Sequence, residues 1–91
     1  MLQTISITVT GKVQGVYFRQ SAREKATQLG ITGFVKNQPD KTVYIIATGV
    51  QEQLGAFVAW CRQGPPQGQV SDVLVQPEML QAFDRFSIHR F

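Results

Sequence analysis

The sequence is short of most residue types from which catalytic centres are commonly built. Its 91 residues include one cysteine, Cys61, which excludes an internal disulfide and a cysteine-rich metal site. A single histidine, His89, excludes a multi-histidine metal centre. Six acidic residues (Glu24, Asp40, Glu52, Asp72, Glu78 and Asp84) are scattered, with no pair at the spacing of a magnesium or calcium site. Nothing approaches the ~20 consecutive apolar residues that a bilayer span requires. The first ten residues alternate apolar and polar instead of forming the basic and apolar regions of a leader. The expected setting is therefore the reducing cytoplasm, with no membrane partner. Charge of one sign is also scarce: nine Lys+Arg against six Asp+Glu give +3, which suits a small anionic ligand as well as nucleic acid.

Hydrophobic residues make up 43% of the chain, enough for a core, and the length predicts one domain over residues 1–91. Ile5, Ile7 and Val9 alternate with Ser6, Thr8 and Thr10, the pattern of a strand with one buried face. Phe18, Ala22, Ala26 and Leu29 share one face of a helix that Gly30 ends. Two strands follow, Ile31–Asn37 and Thr42–Thr48, joined by the turn Gln38-Pro39-Asp40-Lys41. Leu54, Phe57, Val58 and Cys61 mark a second amphipathic helix, stopped by Gly64-Pro65-Pro66. Val70–Gln76 reads as a fourth strand. Phe86–Phe91 reads as a short final one, with Phe86, Ile88 and Arg90 on one side. The order βαββαβ with an added C-terminal strand predicts an α+β two-layer sandwich of ferredoxin-like type. Its antiparallel sheet is covered on one face by two helices.

Chemistry concentrates in Gly11-Lys12-Val13-Gln14-Gly15-Val16-Tyr17-Phe18-Arg19, which joins the first strand to the first helix. Glycines allow a tight turn, and converging amide N–H groups at a helix start favour an anion. Arg19, in the first helical turn, brings a guanidinium suited to bidentate phosphate binding. A cation there is unfavourable beside the positive end of the helix dipole unless an anion joins it. The loop is not a P-loop, because Val16 follows Gly15 where Lys-Ser/Thr would be needed. Cys61 lacks an arginine six residues on, where Gln67 stands, and its place on the apolar helical face marks it as core. His89 reads as solvent-facing. Asn37, at a strand end before a turn, reads by itself as a turn residue, although its amide can also orient a water molecule.

Taken together, Gly11 to Arg19 resembles the acylphosphatase signature, glycine-x-Val-Gln-Gly-Val-x-Phe-Arg. Gly33-Phe34-Val35-Lys36-Asn37 is similar to that family's companion motif, with Val43 and Gly49 at matching positions. The resemblance spans nearly the whole chain, including Gly64-Pro65 and the ending Phe86-Ser87-Ile88. It implies hydrolysis of the carboxyl–phosphate bond of acyl phosphates, without metal or other cofactor. It further implies that the segment matching Gln14, Gly15, Val16, Tyr17 and Phe18 cradles the phosphate through backbone N–H groups. Arg19 would bind the phosphate, and Asn37 would orient the attacking water.

Three positions depart from the family pattern. Lys41 stands where the hairpin turn usually has glycine, and a left-handed lysine there would cost roughly 1 kcal/mol. Tyr17 fills the variable position of the first motif. Phe91 replaces a frequent tyrosine. Two rival readings remain at this level. One is a weakly active or inactive anion-binding module of the same fold. The other is an RNA-recognition domain, which the strand Thr42–Thr48 disfavours because it lacks the aromatic pattern that stacks bases. The expectation is a monomer acting on a small molecule, with no nucleic-acid partner.

Overall fold

The computed structural model describes residues 1–90. Its elements run β1 (Leu2–Lys12), α1 (Phe18–Gln28), β2 (Thr32–Asn37), β3 (Val43–Val50), α2 (Gln51–Gln63), β4 (Gln69–Glu78) and β5 (Phe86–His89). The order agrees with the sequence reading, and β1, β3 and β4 extend beyond the predicted limits. The expectation that the last strand reaches Phe91, and the comparison of Phe91 with tyrosine, lie outside the described residues.

One five-stranded sheet has the order β4-β1-β3-β2-β5. β1 pairs antiparallel with β3 and with β4, and β2 pairs antiparallel with β3. The added strand runs the other way: β5 is parallel to β2, with Val35 opposite Ile88 and Lys36 opposite His89. The sheet is therefore mixed. Because β1, β2 and β5 point in one direction, their C-terminal ends lie along one edge. Helix α1 returns against that direction, so its N-terminus opens at the same edge.

The core lies between the sheet and the helices. Ile7, Val9, Val35, Val43, Ile45 and Ala47 project from the strands, and Phe18, Ala22, Ala26, Leu54, Phe57 and Cys61 from the helices. These are the positions that the two periodicities select. Phe57 meets Phe86 edge-on at 5.9 Å between ring centroids, tying α2 to β5. Cys61 is a core residue, and burial pushes its thiol pKa up to about 12. At Gly33, φ is 138° and a Cβ would stand 1.9 Å from the Ile46 carbonyl oxygen, so β2 and β3 approach too closely for any side chain there.

The face of the sheet away from the helices differs from the simple alternation expected of β1. Thr4, Ser6 and Thr48 are buried although they are polar. The chain after β4 folds back over them: Gln81 N–H donates to Thr4 Oγ1, Thr48 Oγ1 donates to Gln81 O, and the two hydroxyls lie 2.6 Å apart. Ser6 Oγ donates to Glu78 Oε2. Beside them, Phe34 stacks on His89 at 4.3 Å and packs against Phe83 and Tyr44. This aromatic group draws on β2, β3, β5 and the last connection, so no single strand reveals it.

The β2–β3 turn adopts the conformation anticipated from Lys41, which sits at φ 75°. Lys41 N–H donates to Gln38 O, and Asp40 Oδ1 accepts from both the Thr42 N–H and hydroxyl. Those two bonds hold the Asp40 carboxyl below its usual pKa. Lys41→Gly is expected to stabilise the fold by up to about 0.5 kcal/mol, the roughly 1 kcal/mol of released strain less glycine's extra freedom in the unfolded chain. A urea midpoint no lower than that of the wild type at unchanged slope would be the sign; a lower midpoint would mean that the turn holds no strain to release.

Candidate active site

The edge at which the three strand ends and the start of α1 meet contains a pocket of about 420 Å³. The loop after β1 contributes Val13, Gly15 and Tyr17, and the first turn of α1 contributes Phe18, Arg19 and Gln20. Asn37 closes it from the end of β2, with Ile88 and Arg90 from β5 and the residue after it. Five of the residues singled out in the sequence, Gly15, Tyr17, Phe18, Arg19 and Asn37, are thus brought together although Asn37 is 18 positions from Arg19.

The helix start is built to leave donors free. Its N-cap is Tyr17, in left-handed conformation at φ 62°, and no side chain caps the helix. The first intrahelical bond is Ser21 N–H to Tyr17 O. The amides of Phe18, Arg19 and Gln20 precede it and have no intrahelical acceptor. No acidic side chain occupies the first turn. The positive end of the helix therefore faces the pocket together with the Arg19 guanidinium. Gly15, at φ 74°, provides the left-handed turn that brings the loop to this helix start.

Gln14 and Val16 stand differently. Val16 is buried in the core. The Gln14 side-chain amide reaches the β2–β3 turn, where Nε2 donates to Gln38 O at 3.0 Å and to Thr42 O at 2.9 Å. It ties the loop to the hairpin that follows Asn37, so both halves of the pocket share one anchor.

Asn37 carries the most telling feature. Its Oδ1 is buried and has no hydrogen-bond partner among the described residues. An unpaired buried acceptor costs about 1–3 kcal/mol, and natural folds rarely keep one without use. Among the described residues, no side-chain carboxylate, imidazole or thiol lines the pocket. His89 stacks on Phe34 on the opposite face of the sheet. Lys36, beside Asn37 in sequence, lies over the Tyr44 ring at 5.6 Å on that same opposite face, away from the pocket.

The acylphosphatase family model matches residues 5–88. The chain belongs to the acylphosphatase family. An acylphosphatase of Methylococcus capsulatus is 40% identical over 90 residues, 98% of each chain. Among solved structures, an acylphosphatase from Coxiella burnetii superposes with a TM-score of 0.94 at 38% identity, covering 97% of this chain and 93% of the other. That of Bacillus subtilis gives 0.93 at 38% identity, covering 98% and 99%.

In this acylphosphatase-family chain, four pocket residues were not among the site residues read from the sequence: Val13 and Gln20, which flank those that were, and, from a distant segment, Ile88 and Arg90. Their signal was present, since Phe86, Ile88 and Arg90 alternate onto one side of the final strand. What the sequence did not reveal is that this strand pairs with β2 and so ends beside Asn37.

Gln14→Ala removes two hydrogen bonds whose acceptors keep other donors, Lys41 N–H for Gln38 O and Gln38 N–H for Thr42 O. A stability loss of about 1–2 kcal/mol is expected, with a fall in kcat/KM as the loop loses its register with Asn37. Urea unfolding and steady-state kinetics on one preparation check both. Unimpaired kcat/KM would show that the loop needs no such anchor.

Proposed function

We propose that this chain hydrolyses acyl phosphates to carboxylate and inorganic phosphate through Arg19, Asn37 and the backbone of Gln14 to Phe18. The phosphoryl group sits at the start of α1. Backbone N–H groups and the Arg19 guanidinium bind its oxygens and offset the charge on them as the bond to the acyl oxygen loosens. The Asn37 side-chain amide orients the attacking water. The water oxygen bonds to phosphorus while the phosphorus–acyl oxygen bond breaks. The electron pair leaves on the carboxylate, and the released proton goes to a phosphate oxygen, since no side chain of the pocket is a base near neutrality.

The observation that carries this reading is that one pocket holds Asn37, Arg19 and the uncapped helix start together. Family membership supports the reaction type. The residue types suit it, because a carboxylate departs without a general acid whereas an alkoxide does not. A single buried, unpaired thiol supports a reducing, cytoplasmic setting. The stacking of Phe34 on His89 covers a face of the ring that a nucleic-acid base would need, which supports a small-molecule partner. A non-catalytic anion-binding module would bind phosphate without turnover.

Benzoyl phosphate hydrolysis in excess chelator tests the reading. Arg19→Ala should lose both substrate affinity and turnover. Asn37→Ala should keep affinity for inorganic phosphate and lose kcat by about 10²-fold or more, as positioning losses do. Wild-type turnover by Asn37→Ala would remove it from the mechanism. The pH–rate profile should be flat through neutrality; a step there would mean that a titrating group of the protein takes part and would overturn the reading in which the substrate phosphate takes the proton.

A further inference from the structure

Among the described residues, two that are not glycine hold left-handed backbone, Lys41 and Tyr17. Lys41 closes a hairpin, where such a conformation is common. Tyr17 has no such justification. It caps α1 without offering a side-chain hydrogen bond, so capping does not offset its strain. Its side chain is 72% exposed, so core packing does not offset it either. A glycine would serve the fold better at φ 62°. Strain that the fold itself does not repay is characteristic of functional positions. Tyr17 also lines the pocket, where it is the exposed aromatic ring beside the buried Phe18.

We propose that the Tyr17 side chain is the acyl-group platform of the site and that it favours acyl phosphates with flat aromatic or bulky apolar acyl groups over small ones. The inference rests on the acyl phosphate reading above and extends it to the other end of the substrate. In-line displacement puts the leaving oxygen opposite the attacking water. Water held by Asn37 approaches from the strand side, so the acyl group leaves away from the ends of β2 and β5. Tyr17 stands on the loop side, before α1. A phenolic ring there presents a flat apolar face with only two side-chain torsions to fix. Its backbone N–H belongs to the cradle, whereas its ring is free to select the acyl group.

The test compares kcat/KM for benzoyl phosphate and acetyl phosphate in the wild type, Tyr17→Phe and Tyr17→Gly. The ratio of the two cancels differences in leaving-group reactivity and any general loosening of the loop. Tyr17→Gly is expected to lower the benzoyl-to-acetyl ratio by about threefold or more, the scale of one aromatic contact. Tyr17→Phe should keep the wild-type ratio. The urea midpoint of Tyr17→Gly should be no lower than that of the wild type, because relieved strain offsets the little packing lost. An unchanged ratio in Tyr17→Gly, even with both rates reduced, would overturn the proposal and leave Tyr17 a loop-shaping residue. A ratio lost equally in Tyr17→Phe would also overturn it, since the hydroxyl and not the ring would then be responsible. Failure of the wild type to hydrolyse either substrate would instead sink the acyl phosphate reading, and this proposal with it.

Discussion

Everything at this site depends on a helix that begins without a cap. Most helices satisfy their first amides with a serine, threonine, aspartate or asparagine side chain. Here Tyr17 occupies that position and offers nothing to the amides of Phe18, Arg19 and Gln20. Arg19 then adds a cation to the positive end of the helix dipole. Both features disfavour the isolated fold, and both become favourable when an anion of suitable size enters. The same arrangement explains why no acidic side chain stands in the first turn of α1: a carboxylate there would satisfy the donors and occupy the site.

The proposed mechanism needs a group that orients water beside this site, and sheet topology brings Asn37 to the same edge. β1 and β2 are separated by β3 and run in the same direction, so the loop after β1 and Asn37 at the end of β2 share an edge. The β5 strand, parallel to β2, extends that edge with Ile88 and Arg90. The two halves are joined by Gln14, whose amide bonds to carbonyls on both sides of the β2–β3 turn. A glutamine is suited to this task, since one NH₂ group can donate to two acceptors. Its place in the motif is thus explained by alignment of the loop, apart from any direct part in binding phosphate.

Much of this was legible in the sequence because local periodicity and core burial agree. Phe18, Ala22 and Ala26 on one helical face, and Ile7 and Val9 on one strand face, are buried as their spacing demands. Gly15 and Gly30 take the positive φ that a tight turn and a helix end call for, and the second helix ends before Gly64 as the run Gly64-Pro65-Pro66 implies. What could not be read were the consequences of strand pairing between distant segments. The parallel pairing of β5 with β2 decides that Arg90 reaches the pocket, and nothing local to Phe86–His89 specifies a partner strand. The return of Gln81 over Thr4 and Thr48 buries hydroxyls on a face that alternation alone marks as solvent-exposed. Asn37 illustrates the division. Its residue type and position read equally as a turn, and only its place in one pocket with Arg19 and the helix start separates the two.

The chemistry of the pocket is defined as much by its small inventory as by its shape. Among the described residues, its ionisable side chains are two arginines and one tyrosine. Arginine remains protonated throughout the physiological range and cannot shuttle a proton. An asparagine amide can align water but cannot deprotonate it. Such a set can supply position and electrostatic stabilisation and little else. Those suffice where the leaving group is already stable as an anion and the substrate carries its own basic oxygens, as an acyl phosphate does. A phosphate monoester would require a proton donor at the departing oxygen, a role for which neither Arg19 nor Asn37 is suited. On the proposed mechanism, the pocket would select its reaction by the reactivity of the substrate's bond, with the helix start holding the phosphate end.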